Sequence, residues 1–128
     1  MPELDLKILQ DALASEREVL FAYLFGSYAS GEQTPLSDID VAVYPTRKLS
    51  LDERLGVIQR LGKKTSHENL DITFLDRLDN LDLLRAITTR GLVLLDKDLD
   101  ARELFEVRVQ HDYFDFNDQR KRIFGEAA

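Results

Sequence analysis

"LFGSYASGEQTPLSDIDVAVYP", Leu24 to Pro45, holds the two features on which the fold of this chain turns. An apolar run, Val19 to Phe25, stops abruptly at Gly26-Ser27. Its β-branched and aromatic content and its shortness predict a central strand rather than a buried helix. Ten residues after Ser27 a second run, Asp38 to Tyr44, alternates, with Ile39, Val41 and Val43 on one face and Asp38, Asp40 and Ala42 on the other. That is the period of a strand. Its apolar face reads as central, yet its other face carries two carboxylates. Left unpaired they would repel and take up protons, so a compensating cation is expected.

Outward from this stretch the chain reads as alternating helices and strands. Leu6, Leu9 and Leu13, with Ile8 and Ala12 beside them, give helical spacing over Leu4–Arg17. Tyr28–Pro35 reads as a short helical turn and then a loop, because of Gly31 and Pro35. Ser50-Leu51-Asp52-Glu53 is a capping box. The helix it opens should bury a stripe of Leu51, Leu55, Ile58 and Leu61 and end between Gly62 and Ser66. Leu70–Leu75 alternates as a third strand, Leu81–Thr89 reads as a helix and Gly91–Leu95 as a short strand. From Leu99 a long helix is expected, with Phe105, Val109, Phe116 and Ile123 on one broad face. Tyr113, Phe114 and Phe116 cannot all face one core, so they read either as ordinary packing or as a partner surface. The order predicts an α/β (α+β) fold, a small mixed sheet flanked by helices, as a single domain over residues 1–128.

Bulk properties narrow the function. At 128 residues and 44% apolar content the chain can bury a core without staples. It has no cysteine, which excludes disulfides and thiolate nucleophiles and suits a reducing cytoplasm. Met1-Pro2-Glu3-Leu4-Asp5 lacks a basic region followed by an apolar one, so no signal peptide is expected. No apolar run nears the roughly 20 residues a membrane helix needs. A cytoplasmic protein without membrane contact is the expectation. The net charge of −7 argues against binding long nucleic acid. It is compatible with a nucleotide, whose charge metal ions and backbone amides can neutralise, and with docking to a basic protein.

Asp38 and Asp40 point the same way, and Asp71 holds a similar position on the next strand. If those strands are neighbours, the three carboxylates converge and would hold one or two Mg²⁺ ions. Two ions about 4 Å apart can grip the attacking and leaving oxygens of a phosphoryl or nucleotidyl displacement. Gly26-Ser27 supplies the complement: backbone amides and a hydroxyl where a phosphate can approach closely. Ser37 either opens the strand or touches a phosphate. Tyr28 either stacks on a base or covers the loop. His67 and His111 read as ordinary surface or half-buried residues.

Gly26-Ser27, ten residues, then Asp38-Ile39-Asp40 resembles the signature of the DNA polymerase β-like nucleotidyltransferases, and Asp71 is similar to the third carboxylate of that superfamily. The likeness in motif runs from Val19 to Leu75. In size the chain resembles the minimal nucleotidyltransferases (MNT), which pair as antitoxins with HEPN-type ribonuclease toxins. The resemblance implies transfer of AMP from ATP to a tyrosine hydroxyl of such a toxin, with Mg²⁺, two ions being expected. It implies Asp38, Asp40 and Asp71 as catalytic and metal-binding residues, and Gly26, Ser27 and Ser37 as nucleotide-binding residues. Two alternatives stand beside it: a non-catalytic antitoxin that works by binding, and nucleotidyl transfer to a small-molecule hydroxyl. The chain departs from the resemblance at Ser30, where relatives often carry a basic residue. One phosphate contact is then either missing or supplied elsewhere, by Arg47, Lys48, Lys63 or Lys64.

Overall fold

The structure, a computed structural model, describes residues 6–32, 38–67 and 69–124. Four strands, β1 (Val19–Phe25), β2 (Ile39–Pro45), β3 (Leu70–Phe74) and β4 (Leu92–Asp96), form one sheet in the order β3-β2-β1-β4. β1 runs antiparallel to both β2 and β4, while β2 and β3 are parallel, so the sheet is mixed. A parallel pair needs a crossover, and α3 (Leu51–Thr65) provides it. The other helices are α1 (Leu6–Ala14), the single turn α2 (Ser27–Ser30), α4 (Leu81–Arg90) and α5 (Leu99–Phe124), with a 3₁₀ turn at Leu75–Arg77.

The alternation of β2 sorts the core into two layers. Ile39, Val41 and Val43 pack with Leu9 and Leu13 of α1 and with Val57 and Leu61 of α3. Ala42, on the other face, packs with Phe21 and Tyr23 of β1, Ile87 of α4 and Val109 of α5. Phe21 stacks on Tyr44 with ring centroids 4.8 Å apart. Tyr23 donates its hydroxyl to Glu106 Oε2 at 2.6 Å, and Arg102 donates both to Glu106 and to Asp96. Burial and then the Glu106 carboxylate push the Tyr23 phenol well above its ordinary range. This chain of bonds ties α5 to β1 and β4.

The capping box forms as expected: Glu53 N–H donates to Ser50 Oγ and Ser50 N–H donates to Glu53 Oε1. Arg47 also binds Glu53, and that bond, followed by the one from Ser50 N–H, holds the Glu53 carboxyl down at about 2.

Two expected faces are corrected. α3 buries Val57, Leu61 and Thr65, whereas Leu51 and Leu55 are 60% and 52% exposed. The buried row is the i, i+4 line from Val57. Thr65 is accepted in it because its hydroxyl donates back to Leu61 O at 2.8 Å. Leu51 and Leu55 instead overhang β3, and β3 is the last strand on that side, so no further strand meets them, while Ile58 is half-buried against the core as expected. On α5, Val109 is buried and Phe105 half-buried, but Phe116 is 42% and Ile123 74% exposed. The helix has 26 residues, about 39 Å. The strands have five to seven, roughly 17 to 23 Å, so the end of α5 runs past everything it could pack on.

Glu16, just before β1, is 3% exposed and lies 2.8 Å from Arg60 and 2.6 Å from Lys64. Burial alone would raise its carboxyl, but the bonds from Arg60 and Lys64 outweigh it and leave the group below its ordinary 4.5. Glu16→Gln should cost about 2 kcal/mol at pH 7, by loss of charge-assisted bonds. It would be read as a lower urea midpoint at unchanged slope. Because the folded carboxyl titrates below 4.5, the benefit is complete above that pH and is lost as the pH falls through the folded value. The gap between variant and wild type should therefore close in acid. Equal midpoints at pH 7 would show that the triad contributes nothing.

Among the described residues, no helix is long and apolar enough to cross a membrane.

Candidate functional site

Strand register brings the acidic residues together. Asp40 pairs with Asp71 across the parallel β2–β3 ladder and with Phe25, the residue before Gly26, across the β1–β2 ladder. Asp38 precedes β2 by one residue and is two positions from Asp40, hence on the same face. Asp40 is half-buried, while Asp38 and Asp71 are exposed. Burial raises the Asp40 carboxyl, and the charges of Asp71 and then Asp38 raise it further. Among the described residues, no Lys, Arg or His forms an ion pair with any of the three.

The three carboxylates thus share one field, but they do not form a closed cage. Among the described residues, no three His, Asp or Glu side chains make a group able to hold an ion by themselves. That is the usual condition of a Mg²⁺ site, where one or two carboxylates act together with substrate phosphates rather than as an all-protein shell. Hard oxygen donors and accumulated negative charge fit Mg²⁺.

Gly26 closes the other side of Asp40. Its φ is +74°, a left-handed conformation that side chains disfavour. A Cβ at this position would also run into the Asp40 carboxylate. The missing Cβ, expected from sequence to admit a phosphate, also leaves room for the Asp40 carboxylate. Ser30 N–H donates to Gly26 O at 3.2 Å and closes the α2 turn. Ser27 opens that turn. Ser37 lies outside the described residues, as do the side chains of Ser27 and Tyr28.

The cations named for Ser30's missing charge are placed elsewhere. Arg47 and Lys48 lie beyond the far end of β2, about 20 Å along the strand direction from Asp40. Arg47 is bound to Glu18 and Glu53. Lys64 is bound to Ser15 and Glu16, at the end of β1 opposite Gly26. Lys63 rides on α3, which covers the other face of the sheet. His111 pairs on the surface with Asp115 at 3.4 Å, in keeping with an ordinary role.

Beside Gly26 the structure has a cavity of about 490 Å³, lined by α2, the end of β1 and one face of α4 from Leu83 to Arg90. Its size falls within the range of small-molecule sites. Arg90 stands at this cavity and was not singled out from sequence. Nothing in its local pattern marks it, because its proximity to Gly26 depends on where α4 docks.

Comparison with known proteins agrees with this geometry. Residues 7–100 match the family described as Polymerase beta, Nucleotidyltransferase. Among solved structures, a chain of a toxin-antitoxin complex with AMP-PNP is 27% identical, with a TM-score of 0.77 over 95% of this chain and 97% of that one. A chain from the complex of a tri-AMPylated Shewanella oneidensis HEPN toxin with its MNT antitoxin is 26% identical, with a TM-score of 0.64 over 93% and 88%. A chain of a doubly substituted MntA-HpeT toxin-antitoxin complex is 27% identical, with a TM-score of 0.71 over 93% and 91%. No curated protein matches. The matched family spans β1 to β4, including the Gly26 turn and the Asp40–Asp71 pair, and the chain belongs to the polymerase beta nucleotidyltransferase family.

Proposed function

We propose that the protein transfers AMP from ATP to a tyrosine hydroxyl of a HEPN-type toxin in the cytoplasm and thereby acts as its antitoxin. The observation that carries this reading is the Asp40–Asp71 pair, in register on neighbouring strands and closed on its inner side by Gly26. The likeness to a chain from a complex with an AMPylated toxin supports the acceptor.

Asp38, Asp40 and Asp71 would hold Mg²⁺, which when bound supplies charge neutralisation at the reacting phosphate. The Gly26–Ser30 turn would seat the phosphates of ATP beside Asp40. The acceptor oxygen would form a bond to the α-phosphorus as the bond to the β-phosphate oxygen breaks, releasing pyrophosphate. A tyrosine hydroxyl with a pKa near 10 attacks poorly at pH 7, so its proton must be drawn off. Asp71, exposed on the edge strand, would be the proton acceptor for an incoming phenol; Asp38 is exposed as well, and Asp40 is half-buried. A second reading, neutralisation by binding alone, has support from Phe114 and Phe116, both exposed on α5.

One variant separates the two. Asp71→Asn should bind a non-hydrolysable ATP analogue within about threefold of wild type, while transfer falls about a hundredfold or more through loss of the proton acceptor. Intact-mass measurement of the toxin should show adenylyl additions with wild type and none with the variant, and the variant should leave cells unprotected at matched expression. Protection by the variant, together with an unshifted toxin mass under wild type, would leave the binding reading in its place.

A further inference from the structure

The cavity beside Gly26 is apolar over most of its wall, with Phe25, Ala29, Leu83, Ala86 and Ile87 contributing. Such a wall suits a flat base or ribose, but a triphosphate also needs positive charge. The turn from Gly26 to Glu32 contains no Lys or Arg. The wall carries one cation among the described residues, Arg90.

Several other cations are committed to partners within the fold. Arg47, Arg60, Lys64 and Arg102 are all committed to carboxylates. Arg85, one turn earlier on α4, holds its guanidinium 4.4 Å above the Tyr113 ring. Arg90 is exposed and enters no ion pair among the described residues. Its backbone is nevertheless fixed. It is the last residue of α4, and the following Gly91 N–H donates to Ile87 O at 2.9 Å. A side chain at Gly91 would collide with Ile87 O and come within 3.1 Å of Leu24 O. Leu24 lies two residues before Gly26 on β1, so the end of α4 is pinned next to the phosphate turn.

We propose that Arg90 is a nucleotide-binding residue that pairs with the polyphosphate of ATP and supplies the charge the Gly26 turn lacks. The inference rests on the nucleotidyltransferase reading of the site. Calorimetry of AMP-PNP with Mg²⁺, and separately of adenosine, tests it on wild type, Arg90→Gln and Arg90→Lys. Arg90→Gln should bind AMP-PNP about 10- to 100-fold more weakly, the effect of one charged hydrogen-bonded contact, with adenosine unchanged. Arg90→Lys, which keeps the charge, should recover part of the loss. Unchanged AMP-PNP affinity in Arg90→Gln overturns the inference, as does an equal loss on adenosine, which would place Arg90 at the base or in the fold. A wild type that binds no AMP-PNP overturns the nucleotidyltransferase reading itself.

Discussion

Asp40→Asn is expected to abolish nucleotidyl transfer and to raise the melting temperature. Asp40 is half-buried, and burial and then the charges of Asp71 and Asp38 raise its carboxyl above the ordinary 3.8. A carboxyl raised on folding destabilises the folded state wherever it is ionised. Stability is therefore gained as the pH falls through the folded value, the reverse of the behaviour of Glu16. Asparagine removes the repulsion at neutral pH, so variant and wild type should differ most at pH 7 and converge in acid. Transfer should fall on the order of a thousandfold, since a metal's stabilisation of the reacting phosphate is worth several kcal/mol. Mg²⁺ should raise the melting temperature of wild type more than that of the variant. A variant that melts below wild type at pH 7 would remove the electrostatic argument, and one that transfers at the wild-type rate would remove the metal assignment.

Gly26→Val is expected to lose both activity and stability, in contrast to the Asp40 variant. The backbone at position 26 is left-handed, which costs a residue with a side chain about 1–2 kcal/mol and a β-branched one more. The new Cβ would also run into the Asp40 carboxylate, so the total should exceed about 2 kcal/mol. Gly31 gives the control. Its φ is +80°, yet a Cβ there would meet nothing within 4 Å. Gly31→Ala should thus cost about 1 kcal/mol of backbone strain and leave transfer intact. Thermal melts and transfer assays on the two variants would separate strain from displacement of Asp40. Equal loss of transfer at both positions would mean that the left-handed backbone, not the Asp40 contact, governs the site.

Much of this architecture was legible from local chemistry. β1 occupies Val19–Phe25 as its apolar run requires, and the alternation of β2 places Asp40 on the face opposite Ile39, Val41 and Val43. The capping box marks the start of α3 because both of its hydrogen bonds lie within four residues. What failed to show depends on contacts distant in sequence. Leu51 and Leu55 have core-like spacing, but whether they are covered depends on β3 being an edge strand, which no local pattern states. Phe116 and Ile123 continue the apolar pattern of α5 past the last residue of α4 able to meet them. The demand for glycine at position 26 was visible, but the contact with Asp40 was not, since the atom that a Cβ would meet belongs to a residue 14 positions later. Arg90 is more distant still, on a helix that reaches Gly26 only through the docking of α4 beside β1.

The strand order has a kinetic side. Phe25 and Asp40, partners in β1 and β2, are 15 residues apart, whereas Leu24 and Leu92, partners in β1 and β4, are 68 apart. Loop-closure entropy grows by about 0.6 kcal/mol per doubling of length, so the β4 ladder costs about 1.3 kcal/mol more to close. The contact between Gly26 and Asp40 thus lies in the shortest-range pairing of the sheet, and it can form while the β4 edge is still unpaired. A chain emerging from synthesis holds both residues before α4 and β4 exist, and the last 26-residue helix then locks the sheet through Glu106 and Arg102.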